Sequence, residues 1–162
     1  MRLSDRIYNE MLDRYPEIIN NEDYLKLRNI KRHGYTDTFA HSLRVAAVSE
    51  CIADKFGMDT DSVIKTALLH DFCLVDYHQK SDESREVYIL LHPKEAVENS
   101  RRFDLSDTEL RAIRSHMFPI APVPTSSLAW VLTLADKAVA AYEGCYGFIA
   151  HVSFAVRHRF AA

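Results

Sequence analysis

The 162-residue sequence predicts an all-α fold, a helical bundle of about six to eight helices, on three observations. Apolar residues recur at three- and four-residue spacing through most of the chain. Only four Gly and five Pro leave too few turn residues for an all-β protein. Capping residues and glycines punctuate the periodic stretches at intervals that suit helices. With 48% hydrophobic and 27% charged residues the composition is that of an ordinary globular chain. Its length suits one domain over residues 1–162, large enough to bury a sizeable core.

Leu3, Ile7, Met11, Ile18 and Ile19 mark helical spacing over residues 3–19, with Pro16 kinking or restarting the segment. A second short helical piece covers Asp23–Ile30. Lys31-Arg32-His33-Gly34-Tyr35-Thr36-Asp37 is polar and reads as a loop, with Thr36 or Asp37 available to cap the next helix. That helix, about Thr38–Phe56, places His41, Val45, Val48 and Ile52 on one stripe, and Gly57 supplies its stop.

Asp59 or Thr60 opens another helix, which turns Val63, Ile64, Ala67 and Leu68 inward and ends in His70-Asp71. Residues 73–91 read as a loop, with Asp76, Tyr77, His78 and Gln79 in it. His92-Pro93 reads as a helix start, because proline is tolerated in a first turn. Ser106 with Glu109 forms a capping box for a helix running to His116. After a proline-rich connector, Ser126 or Ser127 opens a helix with the stripe Leu128, Leu132, Ala135, Asp136 and Val139. Gly144 and Gly147 are expected to break it before a last helix ending near Phe160.

Charge and cysteine usage narrow the function classes. A net charge of −3 with dispersed Lys and Arg argues against a surface for duplex nucleic acid, yet leaves room for a local pocket binding one phosphate. Cys51, Cys73 and Cys145 are an odd number with no CxxC spacing, so neither a disulfide framework nor a zinc finger is expected. Met1-Arg-Leu-Ser-Asp lacks the apolar core of a signal peptide, and no uncharged apolar run approaches a membrane span. A cytoplasmic protein without a membrane partner is the expectation.

The chemistry concentrates in Ala67-Leu68-Leu69-His70-Asp71-Phe72, where apolar residues flank an imidazole and a carboxylate. Burying both without partners is unfavourable, and a shared cation removes the penalty. Asp136 poses the same problem, since positions three and four residues away offer Leu132, Thr133, Val139 and Ala140, and Lys137 points elsewhere on the helix. Singly, His41, His92 and His116 have ordinary explanations as packed or capping histidines. Together with His70, Asp71 and Asp136 they form a coherent imidazole and carboxylate donor set. Without thiolate it suits iron, manganese, cobalt, nickel or zinc, and Asp71 has two oxygens with which to bridge two ions.

The ordered set His41, His70-Asp71, His92, His116, Asp136 resembles the HD-domain metal-dependent phosphohydrolase superfamily, whose core motif is H…HD…D. Its longer variant adds two histidines between HD and the last aspartate, as His92 and His116 do. The surrounding Ala40-His41-Ser42-Leu43-Arg44, Leu68-Leu69-His70-Asp71, Leu91-His92-Pro93 and Leu134-Ala135-Asp136-Lys137 read like members over residues 30–142. His33-Gly34 and Asp76-Tyr77-His78 further resemble a small stand-alone bacterial subgroup.

The resemblance implies an all-α fold and hydrolysis of a small phosphomonoester or phosphodiester, nucleotides among them, by metal-bound hydroxide. It implies one or two divalent ions, two being favoured, with iron, manganese, zinc, cobalt, nickel and magnesium all open. His41, His70, Asp71 and Asp136 would hold one ion. His92 and His116 would hold a second, with Asp71 between. Lys137 is the candidate phosphate contact, and His33 and His78 are candidates for substrate contact or proton transfer. The alternatives are a non-catalytic, ligand-sensing HD domain and an oxygen-using di-iron site.

Overall fold

A computed structural model gives an all-α architecture. It describes the backbone of residues 3–33, 36–75 and 83–159, with side chains over 5–31, 36–75 and 91–146. Among the described residues there are eight α-helices: α1 (Leu3–Arg14), α2 (Pro16–Ile19), α3 (Glu22–Leu25), α4 (Thr38–Lys55), α5 (Thr60–Leu69), α6 (Glu83–Ser100), α7 (Asp107–Ser115) and α8 (Ser127–Arg159). Pro16 sits at the start of α2, where its missing N–H is not needed.

The segment expected to be a loop before α4 instead contains a two-stranded antiparallel pair, β1 (Lys31–His33) with β2 (Thr36–Asp37). Asp37 caps α4 by accepting from the Ala40 N–H at 2.8 Å, and Gly57 leaves that helix in the left-handed region at φ +62°. At the start of α5, Asp59 accepts from the N–H groups of Asp61 and Ser62. Ser106 and Glu109 complete the reciprocal capping box of α7.

Two helix boundaries differ from the sequence reading. His92-Pro93 lies well inside α6 rather than at its start. Val87-Tyr88-Ile89-Leu90-Leu91 extends the helix toward its N-terminus, and the ladder tolerates one absent N–H at Pro93. At the other end of the chain, α8 runs unbroken through Gly144 and Gly147 for 33 residues, roughly 50 Å. Glycine within a helix weakens it by about 1 kcal/mol without ending it, and neither position is followed by a proline.

α4 is central and packs most extensively on α5 and α8, while α7 bridges α6 and α8. An aromatic cluster closes the core beneath α5. Tyr24 stacks edge-on against Phe72 at 5.4 Å and tilts against Phe39 at 5.5 Å. Its hydroxyl donates to the Leu68 carbonyl at 2.6 Å, so a fully buried phenol also satisfies one of the last carbonyls of α5.

Candidate metal centre

The end of α5 is built so that two adjacent side chains face the same way. Helix termini leave carbonyls without intrahelical partners, and here three of them find one. The Ala67 carbonyl accepts from His70 Nδ1 at 2.8 Å, that of Leu68 from Tyr24, and that of Leu69 from the Phe72 N–H at 3.1 Å and from Ser100 Oγ. Past the turn, the Phe72 carbonyl accepts from Asn99 Nδ2 at 2.9 Å, and the Leu74 N–H donates to Glu95 Oε1 at 3.1 Å. The segment carrying Asp71 is thereby fastened to α6. With Nδ1 committed to a backbone carbonyl, His70 aims Nε2 at the interior.

α7 repeats the device. His116 is its C-cap, as His70 is of α5, and His116 Nδ1 donates to the carbonyl three residues back, Ile113, at 2.7 Å. Its Nε2 also turns inward. His41 enters from α4 and Asp136 from α8, where they meet at 3.1 Å, and His92 enters from α6.

All six predicted ligand residues are buried, each at most 6% exposed. His70 Nε2 is 3.7 Å from Asp136 Oδ1 and 3.8 Å from Asp71 Oδ2. On the other side, Asp71 Oδ1 is 3.4 Å from His92 Nε2 and 3.6 Å from His116 Nε2, and those two nitrogens are 3.2 Å apart. Two donor groups result, His41–His70–Asp71 and Asp71–His92–His116, each with its ligating atoms within 4.8 Å of one another. Asp71 belongs to both.

These residues fit a cation. Ligands held at roughly 2.1 Å on one ion lie about 3.0 Å apart at right angles and about 3.4 Å apart at the tetrahedral angle. The separations here fall in that neighbourhood. His70 Nε2 is fully buried and has no hydrogen-bond partner, which is unfavourable for a polar atom unless something else satisfies it. His116 Nε2 carries a lone pair, because its proton is on Nδ1, and that lone pair faces a second imidazole.

Protonation is divided sharply across the centre. Burial works against charging His41, but its bonds to Asp136 and Glu143 outweigh burial and raise it to about 10. Burial, together with the neighbouring His70 and His92, pushes His116 down to about 3 and keeps it neutral. Burial opposes ionisation of Asp136, yet the bond from His41 and the nearby His70 imidazole win and hold it well below the usual carboxylate range. In the metal-free state a proton on His41 does part of the work of a cation.

A family model described as HD domain matches residues 38–141. The chain belongs to the HD-domain family. No curated protein and no solved structure matches it. The matched span of this HD domain runs from the first residue of α4 into α8 and takes in all six clustered residues.

Lys137 departs from the sequence reading. Adjacent helix positions point about 100° apart, which would direct it elsewhere, but its flexible stem folds back. Nζ lies 3.5 Å from Asp136 Oδ2 and 3.4 Å from the His116 carbonyl, with the side chain 44% exposed. His33 and His78 were the other candidates; their side chains lie outside the described residues.

Sequence reasoning missed Glu143. It is 5% exposed and accepts from His41 Nδ1 at 2.9 Å through Oε2 and from Arg44 Nη1 at 2.6 Å through Oε1. Burial opposes its ionisation, but His41 and Arg44 pull it below its ordinary value. A signal existed: Glu143 is the lone acid in an apolar run of α8, two turns beyond Asp136 and on the same face.

Proposed function

We propose that this HD domain is a metal-dependent phosphohydrolase acting on a small phosphorylated substrate, a nucleotide among the candidates. One observation carries the reading: the two oxygens of Asp71 face two separate sets of imidazole nitrogens, Oδ2 toward His70 and Oδ1 toward His92 and His116. A carboxylate so placed suits two divalent ions sharing one ligand. His41, His70, Asp71 and Asp136 would hold the first, and Asp71, His92 and His116 the second. Bound there, divalent ions supply Lewis acidity toward a phosphoryl oxygen and acidify coordinated water.

The chain's own residues do the rest. Back-bonding of His70 and His116 to helix-end carbonyls fixes their tautomers before substrate arrives, so no reorganisation is needed at the moment of reaction. Among the described residues, the fixed cations beside the buried carboxylates of Asp71, Asp136 and Glu143 are Arg44 and Lys137. Two divalent ions would over-neutralise that set and leave a positive site suited to a phosphate. Lys137, half out in solvent beside Asp136, would donate to a phosphate oxygen as charge develops. We assign the substrate to the small-molecule class, without duplex nucleic acid or membrane, and the chain to one domain working in the cytoplasm. No helix among the described residues is long and apolar enough to cross a membrane.

The test is turnover. The full chain, loaded in turn with manganese, iron, cobalt, nickel, zinc or magnesium, is assayed on a panel of phosphomonoesters and phosphodiesters. Hydrolysis that Asp71→Asn abolishes while helicity persists supports the reading. Tight metal binding without turnover on any substrate rejects it in favour of a ligand-sensing HD domain. Iron-dependent oxygen consumption would instead point to di-iron chemistry.

A further inference from the structure

The histidines of the centre are oriented in two different ways. His70 and His116 sit at helix C-caps, where carbonyls are free to accept from Nδ1. His41 sits in the first turns of α4, away from any helix-end carbonyl, and its Nδ1 bonds a side chain instead. The acceptor comes from another element. Glu143 Oε2 on α8 receives Nδ1 at 2.9 Å, and the ring then presents Nε2 to the interior, 3.1 Å from Asp136 Oδ1.

We propose that Glu143 is a positioning residue for His41, fixing the ring's orientation toward the metal position, and that Arg44 in turn fixes Glu143. This rests on the reading of the six residues as a metal centre and not on the choice of phosphate ester as substrate.

The placement has features that packing alone would not require. An apolar side chain would fill this part of the α4–α8 interface without the penalty of desolvating a carboxylate. An ion pair with Arg44 would serve equally well at the surface. Instead the carboxylate is drawn inside, with one oxygen on the imidazole and the other on a guanidinium that remains about a third exposed. Arg44 lies one turn from His41 on α4, and Glu143 two turns from Asp136 on α8. Two pairs from two helices therefore interlock, with one member of each a candidate ligand. A carboxylate on the far nitrogen of a ligating imidazole also raises its basicity toward the ion, which a backbone carbonyl does more weakly.

The experiment is calorimetric titration of the full chain with cobalt(II), for wild type, Glu143→Gln and Glu143→Leu, with the visible cobalt spectrum recorded at each addition. Glu143→Gln keeps the shape and an acceptor oxygen but removes the charge; Glu143→Leu removes both. The expected result is a loss of about 10–100-fold in cobalt affinity for Glu143→Leu and a smaller loss for Glu143→Gln. The loss should be confined to the ion held by His41, so that a His41→Ala background abolishes the difference between Glu143 and its variants. General destabilisation would not depend on His41. If Glu143→Leu fails to fold, Glu143→Gln decides: weakened cobalt binding supports the proposal. Wild-type affinity in folded Glu143→Gln and Glu143→Leu, or a loss that persists without His41, overturns it. Wild type binding no cobalt overturns the metal centre itself, a distinct outcome.

Discussion

His92 Nε2 and His116 Nε2 face one another at 3.2 Å inside the protein, each also within 3.6 Å of Asp71 Oδ1. Since His116 Nδ1 donates to the Ile113 carbonyl, its Nε2 has a lone pair and no proton. Where α6 meets the ends of α5 and α7, three donor atoms converge on one small volume. His116→Ala should remove the ion held there and lower the bound-metal count by one, leaving the ion held by His41, His70, Asp71 and Asp136. Equilibrium dialysis with elemental analysis reads both numbers.

Asp71 contributes to both groups, so its replacement should affect both. Asp71→Ala is expected to weaken both ions, whereas His92→Ala weakens one. Thermal unfolding offers a second readout. Saturation at about 100 times Kd stabilises a folded protein by about 2.7 kcal/mol per site. Chelation should therefore lower the wild-type Tm by several degrees and leave that of Asp71→Ala nearly unchanged.

Loading the centre should release a proton. His41 is held up to about 10 in the metal-free chain by Asp136 and Glu143, against the pull of burial, and an ion on Nε2 must displace that proton. Apparent metal affinity should then rise with pH across the neutral range, by up to about tenfold per unit. Calorimetry in buffers of different ionisation enthalpy measures the released proton directly.

Alkaline pH should destabilise the fold through Tyr15 and Tyr24. Burial raises both, Tyr15 to about 12 and Tyr24 further. An unfolded tyrosine loses its proton near pH 10, while the buried ones keep theirs. The unfolded state therefore binds fewer protons above pH 10, and stability, undiminished below that value, falls as pH rises toward 12. Urea midpoints at pH 9, 10 and 11 test the slope. Tyr24→Phe should reduce stability at pH 7 by roughly 1–3 kcal/mol, because the Leu68 carbonyl loses its partner, and it should flatten the alkaline decline.

Gly144→Ala tests the continuity of α8. An added Cβ at Gly144 meets nothing within 4 Å, and the backbone there is helical. The substitution should stabilise the protein by roughly 0.5–1 kcal/mol, read from the denaturation midpoint. A break at this point would give no gain.

Much of this was legible in the sequence because the signals are local. Asp37, Asp59 and Ser106 cap helices through bonds spanning two or three residues, so residue type and position suffice to find them. The inward turn of His41, His70 and Asp136 follows from helical periodicity and from the penalty on an unpaired buried charge. Local signals also misled. Pro93 and Gly144 are breaker residues, yet each lies inside a helix whose packing outweighs a penalty of a few kcal/mol or less.

The sequence by itself determined the helical class, the caps and a list of residues able to hold a metal. Only the tertiary structure decided that α4, α5, α6, α7 and α8 bring those residues to one point, with Asp71 shared between two groups. It alone placed Lys137 on Asp136, and Glu143 behind His41 across 102 positions of chain. The physical reason is range. A cap or an amphipathic stripe is decided within one or two turns, whereas an acceptor for an imidazole can come from any helix that packing brings within about 3 Å.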